Sequence, residues 1–171
     1  LSAHVEDWQK SSPEDAPLGF ILAMEGADPI INPDQLKSWW EDGLRVVSLS
    51  HYGVSTYAHG TGTTGGLTSL GRKLLERMYS IGMILDVTHL SEESFWEALD
   101  IFNGPLIASH NNCRTLVPGD RQFSDEQIRA LIKRDAVIGA ALDAWMIYPG
   151  WVKGKTPNTV VSLEAVTDHI D

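Results

Sequence analysis

The stretch GMILDVTHLSEESF, residues 82–95, contains a strand, a turn and the start of a helix. Its first half is an apolar run typical of a buried strand, with Asp86 inside the run and His89 at its end. Ser91 followed by two glutamates is typical of a helix N-terminus. A second stretch, GPLIASHNNCR at 104–114, repeats the order of apolar run and histidine, here His110. The two stretches predict consecutive strand and helix units.

The same alternation runs along the chain, without a composition break that would mark a linker, and it predicts a single domain over residues 1–171. Alternating β and α units with apolar strands indicate a parallel sheet covered by helices. A complete (β/α)8 barrel needs roughly 250 residues, so the chain is either a smaller doubly wound sheet or part of a barrel. The predicted strands are 18–24, 45–49, 83–87, 105–108 and 136–142, and the predicted helices are 33–42, 70–81, 91–102 and 124–134.

Composition excludes several classes of protein. The formal net charge of -10, from 13 Lys+Arg against 23 Asp+Glu, argues against nucleic acid as a partner. No apolar run is long enough to cross a bilayer, so we expect a soluble chain without a transmembrane segment. The lone Cys113 excludes an intrachain disulfide. The compartment stays open, with a cytoplasmic location slightly favoured.

The carboxyl ends of parallel strands converge on one face, where ligands bind. Four consecutive predicted strands end at Glu25, His51, His89 and His110. Imidazole and carboxylate groups are zinc ligands at about 2.0–2.2 Å, so this set predicts a metal site. A single histidine at a strand end is more often a hydrogen-bonded core or rim residue, and His4, His59 and His169 occupy no such position.

Two neighbouring features leave alternatives open. A carboxylate buried at Asp86 needs a partner, which is either a histidine that it orients or nearby backbone N–H groups. The glycine-rich loop HGTGTTGG, residues 59–66, lacks the Lys-Ser/Thr ending of a phosphate-binding loop, so it is weak support for a mononucleotide site.

An ordered series of motifs resembles the membrane dipeptidase (renal dipeptidase) family of zinc peptidases. The motifs are AMEGAD, SLSHYG, GGLTSLGRKLLERMYSIGMILDVTHLS, LIASHNNCR and DRQFSDEQIRALI, and the likeness runs from about residue 18 to the carboxyl end. The resemblance implies a (β/α)8 barrel of the TIM type, present here as an incomplete barrel that is the central portion of the fold. It also implies dipeptide hydrolysis by two zinc ions bridged by a glutamate and a water-derived hydroxide.

The resemblance also implies a role for individual residues. Glu25 matches the bridging glutamate, and His89 and His110 match the histidines of the second metal. His51 matches a histidine that contacts substrate, where it would help to stabilise the developing oxyanion. Arg121 of DRQ matches the arginine that holds the substrate carboxylate; without the resemblance, a solvated loop arginine is the simpler interpretation.

The chain also departs from the family. No His-x-Asp pair for the first metal precedes Glu25, since HVED at His4 is in the wrong place, and an aspartate that meets the substrate amine belongs beyond Asp171. DRQF replaces the usual Arg-Asn, and Asp135-Ala136 stands where a glycine pair is common. These departures leave two alternatives to a zinc dipeptidase: a non-catalytic or truncated homologue, or a related amidohydrolase acting on a lactam or a modified dipeptide.

An open barrel would leave sheet edges unpaired, so we expect the fragment alone to be inactive. Flanking residues or a partner would then cover the gap. The sequence leaves open whether that partner is a second copy of the chain in a homo-oligomer. The aromatic segment DAWMIYPGW, residues 143–151, predicts such a contact, a loop over the site, or core packing.

Overall fold

The computed structural model describes residues 10, 12, 14, 15 and 19–171, and these include a sheet of five strands. Every neighbouring pair of strands is parallel, and the order in the sheet follows the order in the chain. Leu85, for example, pairs with Val47 on one side and Leu106 on the other. The strands are β1 (Leu22–Met24), β2 (Leu44–Ser48), β3 (Ile84–Asp86), β4 (Leu106–Ala108) and β5 (Val137–Ile138).

Helices begin where the local sequence caps them. Ser91 accepts a hydrogen bond from the Ser94 N–H, and Ser124 forms a reciprocal capping box with Gln127. Short 3-10 turns lie at Pro33–Gln35 and Asn158–Val160. The helices are α1 (Leu36–Glu41), α2 (Ser69–Ile81), α3 (Glu92–Ile101), α4 (Asp125–Lys133), α5 (Ala144–Ile147) and α6 (Leu163–Thr167).

The strand order decides between the two predicted folds. In a doubly wound sheet the order reverses at a switch point, so strands lie on both sides of the first one. Here β1 pairs with β2 at one end of the described sheet and the order 1-2-3-4-5 never reverses. The doubly wound alternative is therefore wrong, and the fold is of the TIM-barrel type, present as an incomplete barrel of five strands.

Element boundaries differ from prediction by more than one residue in three places. The predicted strand 18–24 starts only at Leu22, and residue 18 lies outside the described residues. The predicted helix 33–42 opens with the 3-10 turn before α1. The predicted strand 136–142 is confined to β5, because the Ala141 N–H donates to the Asn112 Oδ1 side chain instead of to a neighbouring strand.

The core lies between the sheet and the helices that follow its strands. Residues from α2 and α3 pack against β3, with Leu75, Met78, Leu85 and Phe95 all buried. In the aromatic segment, core packing holds for Met146 and Ile147, whereas Trp145 is exposed. In the part of the chain that the structure describes, every helix is too short or too polar to span a lipid bilayer.

Candidate metal centre

The four predicted residues all lie just beyond the carboxyl ends of the first four strands. Glu25 directly follows β1, and His51, His89 and His110 follow β2, β3 and β4 within three residues. The end of β1 turns at Gly26, whose positive φ of 91° suits glycine and whose N–H donates to the Ser48 hydroxyl of β2 at 2.8 Å. Parallel strands thus place side chains distant in sequence at one edge of the sheet.

Three of these side chains meet at a single point. The Glu25 Oε1 atom lies 3.2 Å from His89 Nε2 and 3.1 Å from His110 Nε2. One donor atom from each of the three residues lies within 4.8 Å of the others. His51 stands slightly farther away, with its Nε2 3.8 Å from the same oxygen and its ring 4.2 Å from that of His89. The structure therefore brings together all four residues that the sequence predicted.

Hydroxyl groups contact the far side of both inner imidazoles. Thr61 Oγ1 lies 3.0 Å from His89 Nδ1, and Ser109 Oγ lies 2.8 Å from His110 Nδ1. Contacts of this kind orient a histidine ring and leave Nε2 facing the centre.

His89 is held in a constrained environment. Its backbone has a φ of 68°, in the left-handed region that few non-glycine residues adopt, although histidine is enriched there. Burial first, and then the neighbouring Arg121, His51 and His110, lower the pKa of His89 to about 3. The imidazole is consequently neutral near pH 7, so its contact with Glu25 is not an ion pair, and a neutral imidazole is the form that binds metals.

The donor set fits a borderline cation such as zinc. It comprises one carboxylate oxygen and two imidazole nitrogens, and ligands bound at about 2.0–2.2 Å from one ion lie roughly 3–3.5 Å apart. The observed separations of 3.1 and 3.2 Å agree with this spacing. The HVED segment at His4 lies outside the described residues.

Arg121 is buried beside the centre, with 4% of its surface exposed. Its Nη2 donates to the His110 carbonyl oxygen at 2.7 Å, while its Nη1 has no partner among the described residues. Burial lowers the pKa of Arg121, and the nearby Tyr52, Glu25 and Asp86 oppose that shift. A guanidinium stays charged in proteins, so Arg121 is a cation shielded from water. Its Nη1 group can still donate a hydrogen bond to an acceptor from outside the described residues. The alternative of a solvated loop arginine is wrong.

The structure also settles the two alternatives for Asp86. Its Oδ1 accepts hydrogen bonds from the Thr88 N–H at 3.0 Å and the Ser109 N–H at 3.1 Å. The backbone alternative is confirmed, and orientation of the histidines falls to Thr61 and Ser109 instead. Asp86 nevertheless fixes the turns after β3 and β4, which carry His89 and His110.

Three residues of this centre were not predicted from the sequence: Tyr52, Thr61 and Ser109. The Tyr52 ring lies 5.0 Å from the His89 ring, and Thr61 reaches His89 from the glycine-rich loop. Ser109 and Tyr52 could have been found as direct sequence neighbours of His110 and His51. Thr61 had only its place between β2 and α2 as a signal.

The glycine-rich loop approaches the centre because Gly60 has no side chain. A Cβ at this position would overlap with the His51 carbonyl oxygen. The Thr61 N–H donates to that same oxygen at 3.1 Å, which seats the loop against β2. His59 and His169, as predicted, lie outside the centre; His59 Nδ1 faces the Gly66 carbonyl and His169 Nδ1 accepts from the Cys113 N–H.

Comparison with known proteins finds relatives that match most of the chain. The chain is 30% identical over 163 residues to an uncharacterized protein in the PQQ-III 3' region of Acinetobacter calcoaceticus, covering 90% of this chain and 50% of that protein. It is 28% identical over 155 residues to the dipeptidase tcpJ of Claviceps purpurea, covering 88% of this chain and 35% of that one. This chain thus spans half or less of the length of these two relatives.

A solved structure shares the fold. The metallopeptidase of Rhodobacter sphaeroides, crystallised with a phosphinate mimic of the dipeptide L-Ala-D-Ala, superimposes with a TM-score of 0.79 at 25% identity, covering 88% of this chain and 44% of that one. The sequence profile of the membrane dipeptidases, peptidase family M19, matches residues 1–171. The chain therefore belongs to the membrane dipeptidase family.

Proposed function

We propose that this chain forms part of a zinc-dependent centre that hydrolyses dipeptides or related small amides. The observation that carries the proposal is the convergence of Glu25, His89 and His110 from three strands onto one point. In the proposed dinuclear site, Glu25 would serve both zinc ions, and His89 and His110 would hold the second. Membership of the dipeptidase family and the likeness to a metallopeptidase support the reaction class.

The bound metal would supply Lewis acidity, which polarises a carbonyl group and makes water a stronger acid. His51 is the side chain placed to act on the substrate itself. It is half exposed, and its Nε2 lies 3.8 Å from Glu25 Oε1, at the rim of the donor cluster. From there an Nε2–H group donates a hydrogen bond to negative charge that develops on the amide oxygen.

Arg121 would bind the carboxylate end of the substrate. A buried guanidinium with an unpartnered Nη1 favours an anionic partner, because the low local dielectric strengthens the attraction and the idle N–H gains an acceptor. Its Nη2 is fixed on the His110 carbonyl oxygen, so the site that holds the carboxylate stands at a set distance from the donor cluster.

The proposal is tested in the longest reading frame that contains this chain. His89→Ala and His110→Ala should each lower the zinc bound per protein and abolish turnover of a dipeptide, because each removes one of the clustered donors. His59→Ala is the matched control, since it removes an imidazole on a neighbouring loop without touching the centre. Zinc content and hydrolysis are measured together. Unchanged turnover in both ligand variants would end the proposal.

A further inference from the structure

Each inner histidine contacts a hydroxyl group that has a second acceptor for its own proton, the His89 carbonyl oxygen for Thr61 and Thr88 Oγ1 for Ser109. From this we infer that Thr61 and Ser109 are positioning residues that hold His89 and His110 with the proton on Nδ1. Both Nε2 lone pairs are then free to bind a cation. The inference rests on the proposed metal centre and adds to it the groups that prepare the ligands before the metal arrives.

The direction of the Thr61 hydrogen bonds follows from counting protons. A threonine hydroxyl has one proton to donate and two lone pairs to accept with. The Thr61 hydroxyl donates to the His89 carbonyl oxygen at 3.3 Å. At the 3.0 Å contact with His89 Nδ1, the Thr61 oxygen therefore accepts, and the proton must belong to Nδ1.

Ser109 also has a second partner for its proton. Its Oγ lies 3.3 Å from Thr88 Oγ1, and either hydroxyl of that pair can donate to the other. With Ser109 as the donor to Thr88, the serine oxygen accepts from His110 Nδ1 at 2.8 Å. Two unrelated hydroxyls, one on the glycine-rich loop and one after β4, can thus support the same tautomer at the two histidines.

The shared tautomer decides how the two Nε2 atoms interact with Glu25. With both protons on Nδ1, the two Nε2 atoms and Glu25 Oε1 are all acceptors, yet they stand 3.2 and 3.1 Å apart. Acceptors at that distance repel each other; in the metal-free protein the two hydroxyl contacts hold the protons on Nδ1 against this repulsion, and a bound cation removes it. The competing arrangement has the proton on Nε2, which would give hydrogen bonds to Glu25 and a centre closed to metal.

Thr61 is rigidly placed for this task. It is buried, and the next residue, Gly62, donates its N–H to Asp120 Oδ2 at 2.7 Å. Gly60 on its other side bridges to Leu90, the residue after His89. The loop is therefore fastened on both sides of Thr61. Since Asp120 precedes Arg121, one loop connects the support of His89 to the segment that carries the arginine.

The tautomers are measured first in metal-free protein at neutral pH, by long-range ¹⁵N–¹H NMR of the histidine rings, with His89→Asn and His110→Asn used to assign the signals. The result expected is protonated Nδ1 and unprotonated Nε2 at both residues. A proton on Nε2 of either histidine would overturn the inference. This measurement leaves Thr61 and Ser109 unchanged, so its outcome does not depend on whether variants of these residues fold.

Zinc affinity is then measured by chelator competition in Thr61→Val and Ser109→Ala, which remove the hydroxyls, and in Thr61→Ser and Ser109→Thr, which keep them. We expect binding about 10- to 100-fold weaker without a hydroxyl, the range for supports of metal-bound histidines, and recovery in the variants that keep it. Wild-type affinity in both hydroxyl-free variants contradicts the inference. Wild-type protein that shows Nδ1 protonation but binds no zinc contradicts the metal centre and supports the tautomer assignment.

Discussion

His89 combines three properties that seldom occur in one residue: a left-handed backbone, a buried ring and a strongly lowered pKa. A non-glycine residue at positive φ costs of order 1–3 kcal/mol when the surroundings hold it there. Thr61 contacts both the ring and the carbonyl oxygen of His89, and so supports the conformation at two atoms. Strain that is supported in this way is typical of functional sites.

The lowered pKa of His89 predicts how acid affects the metal-free protein. Below the unfolded pKa of about 6.5, the unfolded chain binds a proton that the folded chain does not bind until the pH reaches about 3. The free energy of unfolding should therefore fall as the pH drops from 6.5 towards 3, by at most about 1.4 kcal/mol per pH unit from this group.

Urea unfolding of the chelated protein at several pH values measures that slope. His89→Asn, which removes the titrating ring and keeps a residue that tolerates positive φ, should flatten it. Equal slopes in the wild type and the variant would show that His89 does not carry the acid sensitivity.

At this scale the sequence predicted the positions of Glu25, His51, His89 and His110, because each follows an apolar run that marks a strand end. The burial of Arg121 was not predictable from its own neighbours. It depends on packing between the 109–114 and 119–123 segments, as in the Phe123 N–H bond to the Asn112 carbonyl oxygen. The contact of Thr61 with His89 was not predictable for the same reason, since the two residues are 28 positions apart, whereas Ser109 directly precedes His110.

At the scale of elements, helix starts were predictable because their signals are local. Ser91 and Ser124 cap the helices that the sequence assigned to them, through side-chain bonds to residues three positions later. The length of β5 was not predictable. Backbone bonds to the β4 segment continue only to Gly139, and at Ala141 the side chain of Asn112, from a distant turn, accepts the backbone N–H instead.

The turn between α4 and β5 contains an exposed residue in an unfavourable conformation. Asp135 has a φ of 52°, in the left-handed region. Asp135→Gly should raise the free energy of unfolding by about 0.5–1 kcal/mol, because glycine adopts positive φ without steric cost.

Thermal or urea unfolding measures the change, and Asp42→Gly provides the matched control. Asp42 ends α1 with a φ of -75°, so glycine there relieves no strain and should destabilise the protein slightly. Destabilisation by Asp135→Gly of the same size as in the control would contradict the interpretation of the turn.

At the scale of the whole molecule, the described residues place β1 and β5 at the two edges of the sheet, with no further strand beside either among them. Leu22 of β1 is 48% exposed and Val137 of β5 is 69% exposed, values unusual for strands of a barrel. Open edges with exposed apolar side chains pair readily with other chains. The 171-residue chain should therefore self-associate as its concentration rises.

Light scattering during size-exclusion chromatography tests this expectation. Val137→Lys places a charge on the β5 edge and should shift the chain towards the monomer. Ile132→Lys makes the same kind of apolar-to-lysine change at an exposed residue of α4, away from the strand edge, and should leave the degree of association unchanged. A chain that stays monomeric at every concentration would show that the edges are already protected.

The regular alternation of units implied a parallel sheet but left the strand order open between a doubly wound sheet and a barrel. The observed order does not reverse, and it places four strand ends in a row. That arrangement brings side chains as far apart in the chain as Glu25 and His110 to one point. Element order is readable from sequence, whereas the closeness of the donor atoms is a property of the folded sheet.

The most direct test is the position of a bound zinc ion, found by anomalous diffraction at the zinc edge from crystals grown with zinc. The account predicts a peak about 2.0–2.2 Å from Glu25 Oε1, His89 Nε2 and His110 Nε2. A zinc ion bound at other residues, or no peak at this point in a zinc-saturated crystal, would contradict it.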